Sequence, residues 1–470
     1  MNNKIVAILI VAILLVSGGA AYLLVANDPQ AKDTEIDLIS NNVSMKIFGN
    51  ANGDHRLDDQ DVELIQNYID GKIGSDDLIS VTDKDYKKTY FLADANLDGR
   101  VNSEDITFLK SIINRTGDNM NLMDSFGHIV SVPLHIDKIV CDYFCTAELL
   151  QLMGVQSKIV AVSNALMVLS DYYLQGVDDK SKLVNFYSRT TPDYEAVAET
   201  DPDVWILSED RIDRSKTNAA VIGLDQLTFN FDNIYESGPV EAALIAGYIF
   251  NNTEAAEKYV KWYLDIWNML YSKTSVLSDD DRPRVFYTGW GGHITDQNNK
   301  TLRIFLDNTV CWQAVNLAGG YNIIDDYPGE LQKASTPTAN VNLGIEWIAD
   351  QDYDFLFAHC TRYTGSGTVS KLVPDHGYIC EDDSEYRAGQ ESLGDYRLFQ
   401  CCDPDNMYLT PGDYMNGASG GLLSAILVAS VIHPEIFPEL DLQEEHQKYI
   451  NLMGFDYDLS QHGTFFCSNE

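Results

Sequence analysis

Apolar and polar positions follow two different periods along this chain, and the changes of period mark out its organisation. Over Thr253 to Val276 the apolar positions Ala256, Tyr259, Val260, Tyr263, Ile266, Trp267 and Leu270 recur at threes and fours, which predicts one long amphipathic helix. Thr253 stands where a cap is needed, and Glu254 and Glu257 fall near the electropositive start. On either side the pattern changes to short apolar runs. Before the helix, Ile139-Val140, Ile159 to Val162, Leu183 to Phe186 and Val204 to Leu207 read as strands, interleaved with helices over Ala147 to Met153 and Pro192 to Ala198. Strands alternating with helices imply a mostly parallel sheet. After it, Val285-Phe286, Tyr321 to Ile324 and Phe355 to Phe357 continue the scheme, and Leu422 to Val431 is an apolar helix behind the small residues 417–421.

One phrase occurs on both sides of the long helix. Tyr194-Glu195-Ala196-Val197-Ala198-Glu199-Thr200-Asp201-Pro202-Asp203 aligns with Ile345-Glu346-Trp347-Ile348-Ala349-Asp350-Gln351-Asp352-Tyr353-Asp354, with Glu, Ala and two Asp in register. Each copy reads as a helix end, an acidic turn and a buried strand. The fold class is therefore α/β, with two similar lobes joined by one long helix and a cleft at their seam. A single rigid connector restricts the lobes to closure of small amplitude. Upstream, Arg115 to Asn121 reads as a polar linker, and Asp124 to Pro133 as a β-hairpin.

Nearer the N-terminus, two twelve-residue stretches share a different pattern. Oxygen-bearing side chains occupy positions 1, 3, 5, 9 and 12: Asn50, Asn52, Asp54, Asp58 and Asp61 in the first, and Asp94, Asn96, Asp98, Asn102 and Asp105 in the second. Position 7, Arg56 or Arg100, offers a backbone carbonyl, and such a ligand set suits Ca²⁺, which takes six to eight oxygens. Two ions are expected. The second loop fits better because His55 replaces the position-6 Gly of the first. Leu57 and Val101 at position 8 are placed to pair the loops through a short strand, and an amphipathic helix follows each loop.

The formal charge of −39, from 71 acidic and 32 basic side chains, argues against a nucleic-acid partner. Residues Ile5 to Ala26 form an uncharged apolar run of bilayer-spanning length, with Lys4 before it and Asp28, Asp33, Glu35 and Asp37 after it. An anchor or a cleaved signal is expected, with the rest of the chain at the extracellular face of the cytoplasmic membrane, anchored or secreted. The eight cysteines show no paired zinc spacing. No phosphate loop, G-x-S-x-G elbow or H-E-x-x-H is present, so no enzyme is expected.

The paired loops resemble a type I dockerin, the duplicated calcium module that docks onto cohesin domains. Asp61 and Asp105 at position 12 fit that family, which implies a cohesin partner read by Asp59, Gln60, Ser103 and Glu104. The loop offset is longer than usual for the family, with a polar insert around Gly74 to Lys88. Beyond residue 121, the hairpin, the Glu148 to Gly154 helix, the repeated phrase and the long helix together resemble the periplasmic-binding-protein family of ABC importers for iron-siderophore, haem and cobalamin complexes. The resemblance implies a helical-backbone solute-binding fold that captures a metal chelate and delivers it to a permease and its ATPase. Glu195 and Glu346 are then the permease-docking pair. Loops after the C-terminal strand ends supply the candidate ligand contacts. These are Tyr143, Asn164, Tyr187 and Arg189 on the first lobe and Tyr287, Trp290, His293, Arg362 and Tyr363 on the second. The expected organisation is residues 1–27 as apolar leader or anchor, 46–117 as EF-hand-like calcium module, 122–250 as first lobe, 251–278 as connecting helix and 279–470 as second lobe. The competing class is a calcium-dependent surface adhesion or scaffold protein built around the dockerin-like module.

Overall fold

The computed structural model describes residues 45–188, 191–208, 226–228, 238–290, 301–307, 309–329, 340–360, 376–378, 380–395 and 402–467. The apolar leader lies outside these. Among the described residues no helix is long and apolar enough to cross a membrane.

The first unit contains α1 (Asp59–Ile69), a small antiparallel hairpin of β1 (Ser80–Thr82) and β2 (Thr89–Phe91), and α2 (Ser103–Ile113). Both helices start from the oxygen-rich loops: Asp58 and Asn102 accept the N–H groups of Gln60 and Glu104 at 2.7 Å. Next come β3 (Asn119–Met123) and β4 (Ile129–Pro133), an antiparallel pair whose turn is 124–128. Part of the predicted polar linker is therefore strand, because Met120, Asn121 and Leu122 turn inward. The Arg115 guanidinium closes the unit onto the next by donating to the carbonyls of Tyr248 at 2.7 Å, Ile249 at 3.2 Å and Leu134.

The first lobe runs β5 (Ile139–Cys141), α3 (Phe144–Leu152), β6 (Ile159–Val162), α4 (Asn164–Val168), α5 (Ser170–Tyr173), β7 (Val184–Asn185), α6 (Tyr194–Glu199), β8 (Val204–Leu207) and β9 (Gln226–Thr228). Its sheet is parallel throughout, in the order β7-β6-β5-β8-β9. Two helices follow, α7 (Gly238–Ile249) and α8 (Thr253–Thr274). The second lobe runs β10 (Arg284–Trp290), β11 (Thr301–Phe305), α9 (Val310–Leu317), β12 (Tyr321–Asn322), β13 (Asn340–Gly344), α10 (Ile345–Ala349), β14 (Phe355–Cys360), α11 (Ser384–Glu391), β15 (Met407–Pro411), α12 (Gly412–Asn416), α13 (Leu422–Ile432) and α14 (Leu442–Met453). Here the sheet is mixed: β12, β14 and β15 continue the parallel set with β10, whereas at the other edge β11 is reversed and pairs antiparallel with both β10 and β13.

The repeated phrase has a mechanical role. Asp203 accepts the backbone N–H groups of Asp137 and Lys138 at 2.7 and 2.9 Å, just before β5. Asp354 accepts that of Arg284 at 2.8 Å, at the start of β10. In both lobes, then, the last Asp of the phrase pins its own strand to the neighbouring central strand, and the register of the parallel pair follows.

The long helix α8 buries every apolar position predicted for it, Ala256 through Leu270. Asn252 rather than Thr253 caps it, since its side chain accepts from Ala255 at 3.4 Å. Each large apolar side chain fully buried there stabilises by about 1.5–3 kcal/mol. One apolar core includes α8, α3, α13, α14 and residues of the first unit. Polar contacts cross the same seam: the Tyr173 hydroxyl donates to Asp413 at 2.7 Å, Gln151 to the Gly454 carbonyl at 2.8 Å, and Tyr172 stacks on Tyr378.

Glu148 is the buried centre of this seam. Its carboxylate accepts the Ala418 N–H and the Tyr449 hydroxyl, both at 2.6 Å. Gly417 makes room, because a Cβ there would stand 2.8 Å from the carboxylate. Burial pushes the Glu148 carboxyl up to about 7, against the lowering effect of those two bonds. For a carboxyl raised above its ordinary 4.5, the associated stability is fully present below that value and is lost as pH rises through about 7. Glu148→Ala is expected to cost about 3 kcal/mol in urea unfolding, because two buried donors lose their acceptor. Glu148→Gln should cost less and should flatten the fall in stability between acid and neutral pH.

Candidate functional site

The C-terminal ends of the parallel strands in both lobes carry the polar groups nearest the seam. In the first lobe, Asp142 follows β5 and is buried, accepting the Thr146 hydroxyl at 3.0 Å and both the N–H and hydroxyl of Ser208 at 3.0 and 2.9 Å. These bonds tie the ends of β5 and β8 together and hold Tyr143 at the start of α3. The Tyr143 ring is half-buried against Phe144, 4.4 Å between centroids. After β6, half-buried Asn164 donates its N–H to the Tyr187 carbonyl at 2.9 Å and accepts from Asn185 at 2.9 Å. Tyr187 is held at φ 63°, a left-handed conformation that costs energy for a bulky side chain, and its ring is 65 % exposed.

In the second lobe, strand register decides which side chains face the seam. Thr288 pairs with Ile304, Gly289 with His359, and His359 with Thr410. The outermost rung on this face is thus Arg303, Gly289, His359 and Thr410, and the rung beneath it is Phe305, Tyr287, Phe357 and Tyr408. Tyr287 therefore lies one layer too deep for a cleft contact. It is 4 % exposed, its hydroxyl donates to Thr410 at 2.8 Å, and its ring packs on Phe305 and Phe357. The sequence expectation placed it in the cleft because its strand end is near; the pleat turns it into the core.

Arg303 was not among the expected contacts, although the alternation in Thr301-Leu302-Arg303-Ile304-Phe305 places it on one face with Thr301 and Phe305. Only the sheet shows that this face meets the seam. Its stem lies against Gly289, where an added Cβ would stand 2.9 Å from Arg303 Cδ. The residue is exposed and has no carboxylate partner among the described residues. Surrounding protein lowers its guanidinium pKa, and Tyr143 of the other lobe lies within electrostatic reach. Beside it, burial and the Arg303 charge hold His359 down at about 3, so this imidazole is neutral at physiological pH. The structure thus brings Tyr143 and Arg303 toward one another across the seam. Arg189, His293, Arg362 and Tyr363 lie outside the described residues, and Trp290 is described only as strand backbone paired with Cys360. Glu195 and Glu346 are both exposed, each in the first turn of its short helix.

The oxygen-rich loops have matching geometry. The position-12 Asp accepts the backbone N–H groups of positions 3 and 9 in each: Asp61 from Asn52 and Asp58 at 3.2 and 3.0 Å, Asp105 from Asn96 and Asn102 at 3.3 and 2.8 Å. Asp61 and Asp105 are fully buried, and burial raises both carboxyls, Asp61 to about 7. At position 1 of each loop, Asn50 Oδ1 and Asp94 Oδ1 are buried with no hydrogen-bond partner. Such orphaned oxygens, converging with raised carboxyls, fit a hard cation as the missing partner. Among the described residues no group of three or more His, Cys, Asp or Glu is gathered closely enough to hold a metal ion, the three aspartates of each loop included. The expected strand between Leu57 and Val101 is not formed, because the Leu57 N–H donates to the Tyr248 hydroxyl at 2.8 Å.

The seven described cysteines are buried. Two cavities, of about 660 and 320 Å³, open beside Phe466 on the second lobe, lined by Leu442 and Asp441 in common; the larger also touches Tyr408, and neither touches Tyr143, Arg303 or His359.

Residues 139–378 match the sequence profile of the family described as Periplasmic binding protein. This spans half of the chain and both lobes. The fold is similar to the crystal structure of the TroA-like periplasmic binding protein FepB from Veillonella parvula, with TM-score 0.55 and 14 % identity over 74 % of this chain and 99 % of that one. It is also similar to an ABC transporter solute binding protein from Sulfurospirillum deleyianum, with TM-score 0.53 and 14 % identity over 73 % and 97 %. A third similar structure is Helicobacter pylori CeuE in complex with nickel and histidine, with TM-score 0.50 and 15 % identity over 73 % and 97 %. No curated protein sequence matches the chain.

The class defined by fold and site is the two-lobed solute receptor. The chain belongs to the periplasmic binding protein family, whose members bind solutes for ABC transporters and are not enzymes. A permease and its ATPase are the partners this membership implies. Tyr287→Phe is expected to lower stability by about 1 kcal/mol through loss of the Thr410 bond while leaving solute affinity unchanged, which parallel melting and binding titrations will show.

Proposed function

We propose that this protein captures an anionic metal chelate, of the ferric-siderophore, haem or corrinoid class, between its lobes and hands it to an ABC permease. The observation that carries this reading is Arg303: an exposed guanidinium without a carboxylate partner among the described residues, facing the seam in a chain of net charge −39. A cation with no carboxylate partner among the described residues of so acidic a chain is suited to an anionic guest. Tyr143 and the strained Tyr187 offer flat apolar area beside it. Glu195 and Glu346, at equivalent exposed positions of the two lobes, are the residues proposed to meet basic groups on the permease.

Intrinsic fluorescence titrated with ferric-siderophore, haem and corrinoid panels tests the reading. One saturable, tight ligand is expected, and Arg303→Gln should weaken it at least about tenfold, as loss of one charge-assisted hydrogen bond implies. Absence of any binding, together with capture by a cohesin domain or surface glycan, would favour the scaffold class instead.

We also propose that the paired loops hold two Ca²⁺ ions, through Asn50, Asn52, Asp54, the Arg56 carbonyl, Asp58 and Asp61, and through Asp94, Asn96, Asp98, the Arg100 carbonyl, Asn102 and Asp105. A bound cation supplies the counter-charge that these buried carboxylates lack. The unit's packing on α7 and α8, through Leu57 with Tyr248 and Arg56 with Glu257, supports a structural role over a cohesin-docking one. Without the ion, the stability associated with Asp61 is present at acid pH and is lost as pH rises through about 7, because its folded pKa is raised. Calcium should therefore stabilise most above neutrality. At a hundredfold excess over Kd one site contributes about 2.7 kcal/mol at about pH 8, shrinking toward about pH 5. Calorimetric melting with calcium or chelator checks this, and a calcium effect that survives Asp61→Asn combined with Asp105→Asn would refute it.

A further inference from the structure

The polar insert between the two loop-helix units takes part in none of the roles above. β1 and β2 pair Ser80 with Phe91 and Thr82 with Thr89, which leaves Asp83 to Lys88 as the tip that connects them. Asp83 is buried and organises it, accepting the N–H of Tyr86 at 2.6 Å and that of Ile129 at 3.3 Å, while the Lys87 N–H donates to the Asp83 carbonyl at 3.0 Å. Lys87 is held at φ 55°, so the turn is tight and strained.

What this scaffold presents is unusual for the chain. The Tyr86 ring is 83 % exposed, and Lys84, Lys87 and Lys88 are all exposed around it. Three of only 32 basic residues thus fall within five positions of a chain with net charge −39. Lys87 and Lys88 have no carboxylate partner among the described residues, and the Lys88 ammonium lies 4.3 Å over the Tyr90 ring.

The tip also sits where the chain leaves its first 44 residues. The Lys84 N–H donates to the Gly127 carbonyl at 2.8 Å, and Asp85 meets His128 at 2.7 Å. On the other side of that same turn, the Met123 N–H donates to the Lys46 carbonyl at 2.9 Å. Residues 27–44, which separate the apolar run from Met45, reach at most about 60 Å when extended. An anchored chain therefore keeps this end within reach of the bilayer.

We propose that the Lys84–Lys88 tip is a finger that seats the receptor on anionic lipid headgroups. Tyrosine and lysine together are the residues favoured at a membrane interface, the ring at headgroup depth and the ammonium groups on phosphates. A stable protein partner needs about 800 Å² from each side, which six tip residues do not offer. The proposal rests on residues 5–26 reaching a bilayer, and the test separates the two.

The full chain carrying Tyr86→Trp is mixed with brominated phosphatidylcholine vesicles, with and without phosphatidylglycerol. Flotation reads the anchor; bromine quenching of the introduced indole, taken as the difference from the parent chain, reads the tip. Quenching is expected with phosphatidylglycerol, and little with phosphatidylcholine alone or at high salt. Each Lys→Gln at positions 84, 87 or 88 should lower tip occupancy about fivefold, with solute affinity unchanged as the control for folding. Flotation without quenching of that indole overturns the finger and leaves the anchor standing. A blue shift of that indole that tracks protein concentration, with no bromine quenching, assigns the tip to a second copy of the chain and also overturns it. If the chain does not float, the anchor reading has failed, and quenching on added anionic vesicles decides the finger by itself.

Discussion

A carboxyl group buried where two lobes meet sets the mechanical character of this molecule. Glu148 belongs to the first helix of one lobe, yet its two hydrogen-bond donors, Ala418 and Tyr449, belong to the other. A buried carboxyl stays in place only when its partners are satisfied, so separation of the lobes at this point would strip three polar groups of their partners. Around it the apolar faces of α3, α8, α13 and α14 share one core. Opening the seam would expose that core as well. The bonds around Glu148 therefore oppose separation of the lobes at their backs.

A stiff seam makes strand register decisive for the site. The outer rung of the second lobe holds Arg303 and His359 in fixed positions, and one pleat below it Tyr287 is sealed into the core. On the facing lobe, Asp142 holds the ends of β5 and β8 together beneath Tyr143. Charge is arranged as sparingly as position. His359 is kept neutral by burial and by Arg303, so the guanidinium is the charge that this part of the rung carries.

The N-terminal unit is tied into the same body rather than strung before it. Ile47 bridges to Leu122, Arg115 closes on the end of α7, Lys46 pairs with buried Glu241, and Arg56 reaches Glu257 on α8. Through these contacts the state of the oxygen-rich loops bears on the helix that joins the lobes. The loops carry buried carboxylates that strain against desolvation, so their balance of charge is also a balance of stability.

Much of this was legible in the chain as written. The three-and-four spacing of α8, the apolar strands and the repeated Glu…Asp-x-Asp phrase each depend on local periodicity, and periodicity survives without knowledge of neighbours. The oxygen-bearing pattern at Asn50 and Asp94 was legible for the same reason: its positions lie within twelve consecutive residues. The cleft was read only in part. The rule that strand ends face the crevice selected Tyr143 and Tyr187, which keep exposed surface, and Tyr287, which is buried, while it passed over exposed Arg303. Sequence by itself determined which residues form strands and helices and that two lobes repeat, because those are short-range properties. Which strand lies beside which, and so which face of each meets the seam, was decided only by tertiary structure, because cross-strand register joins residues far apart in the chain and a shift of one position exchanges core for surface.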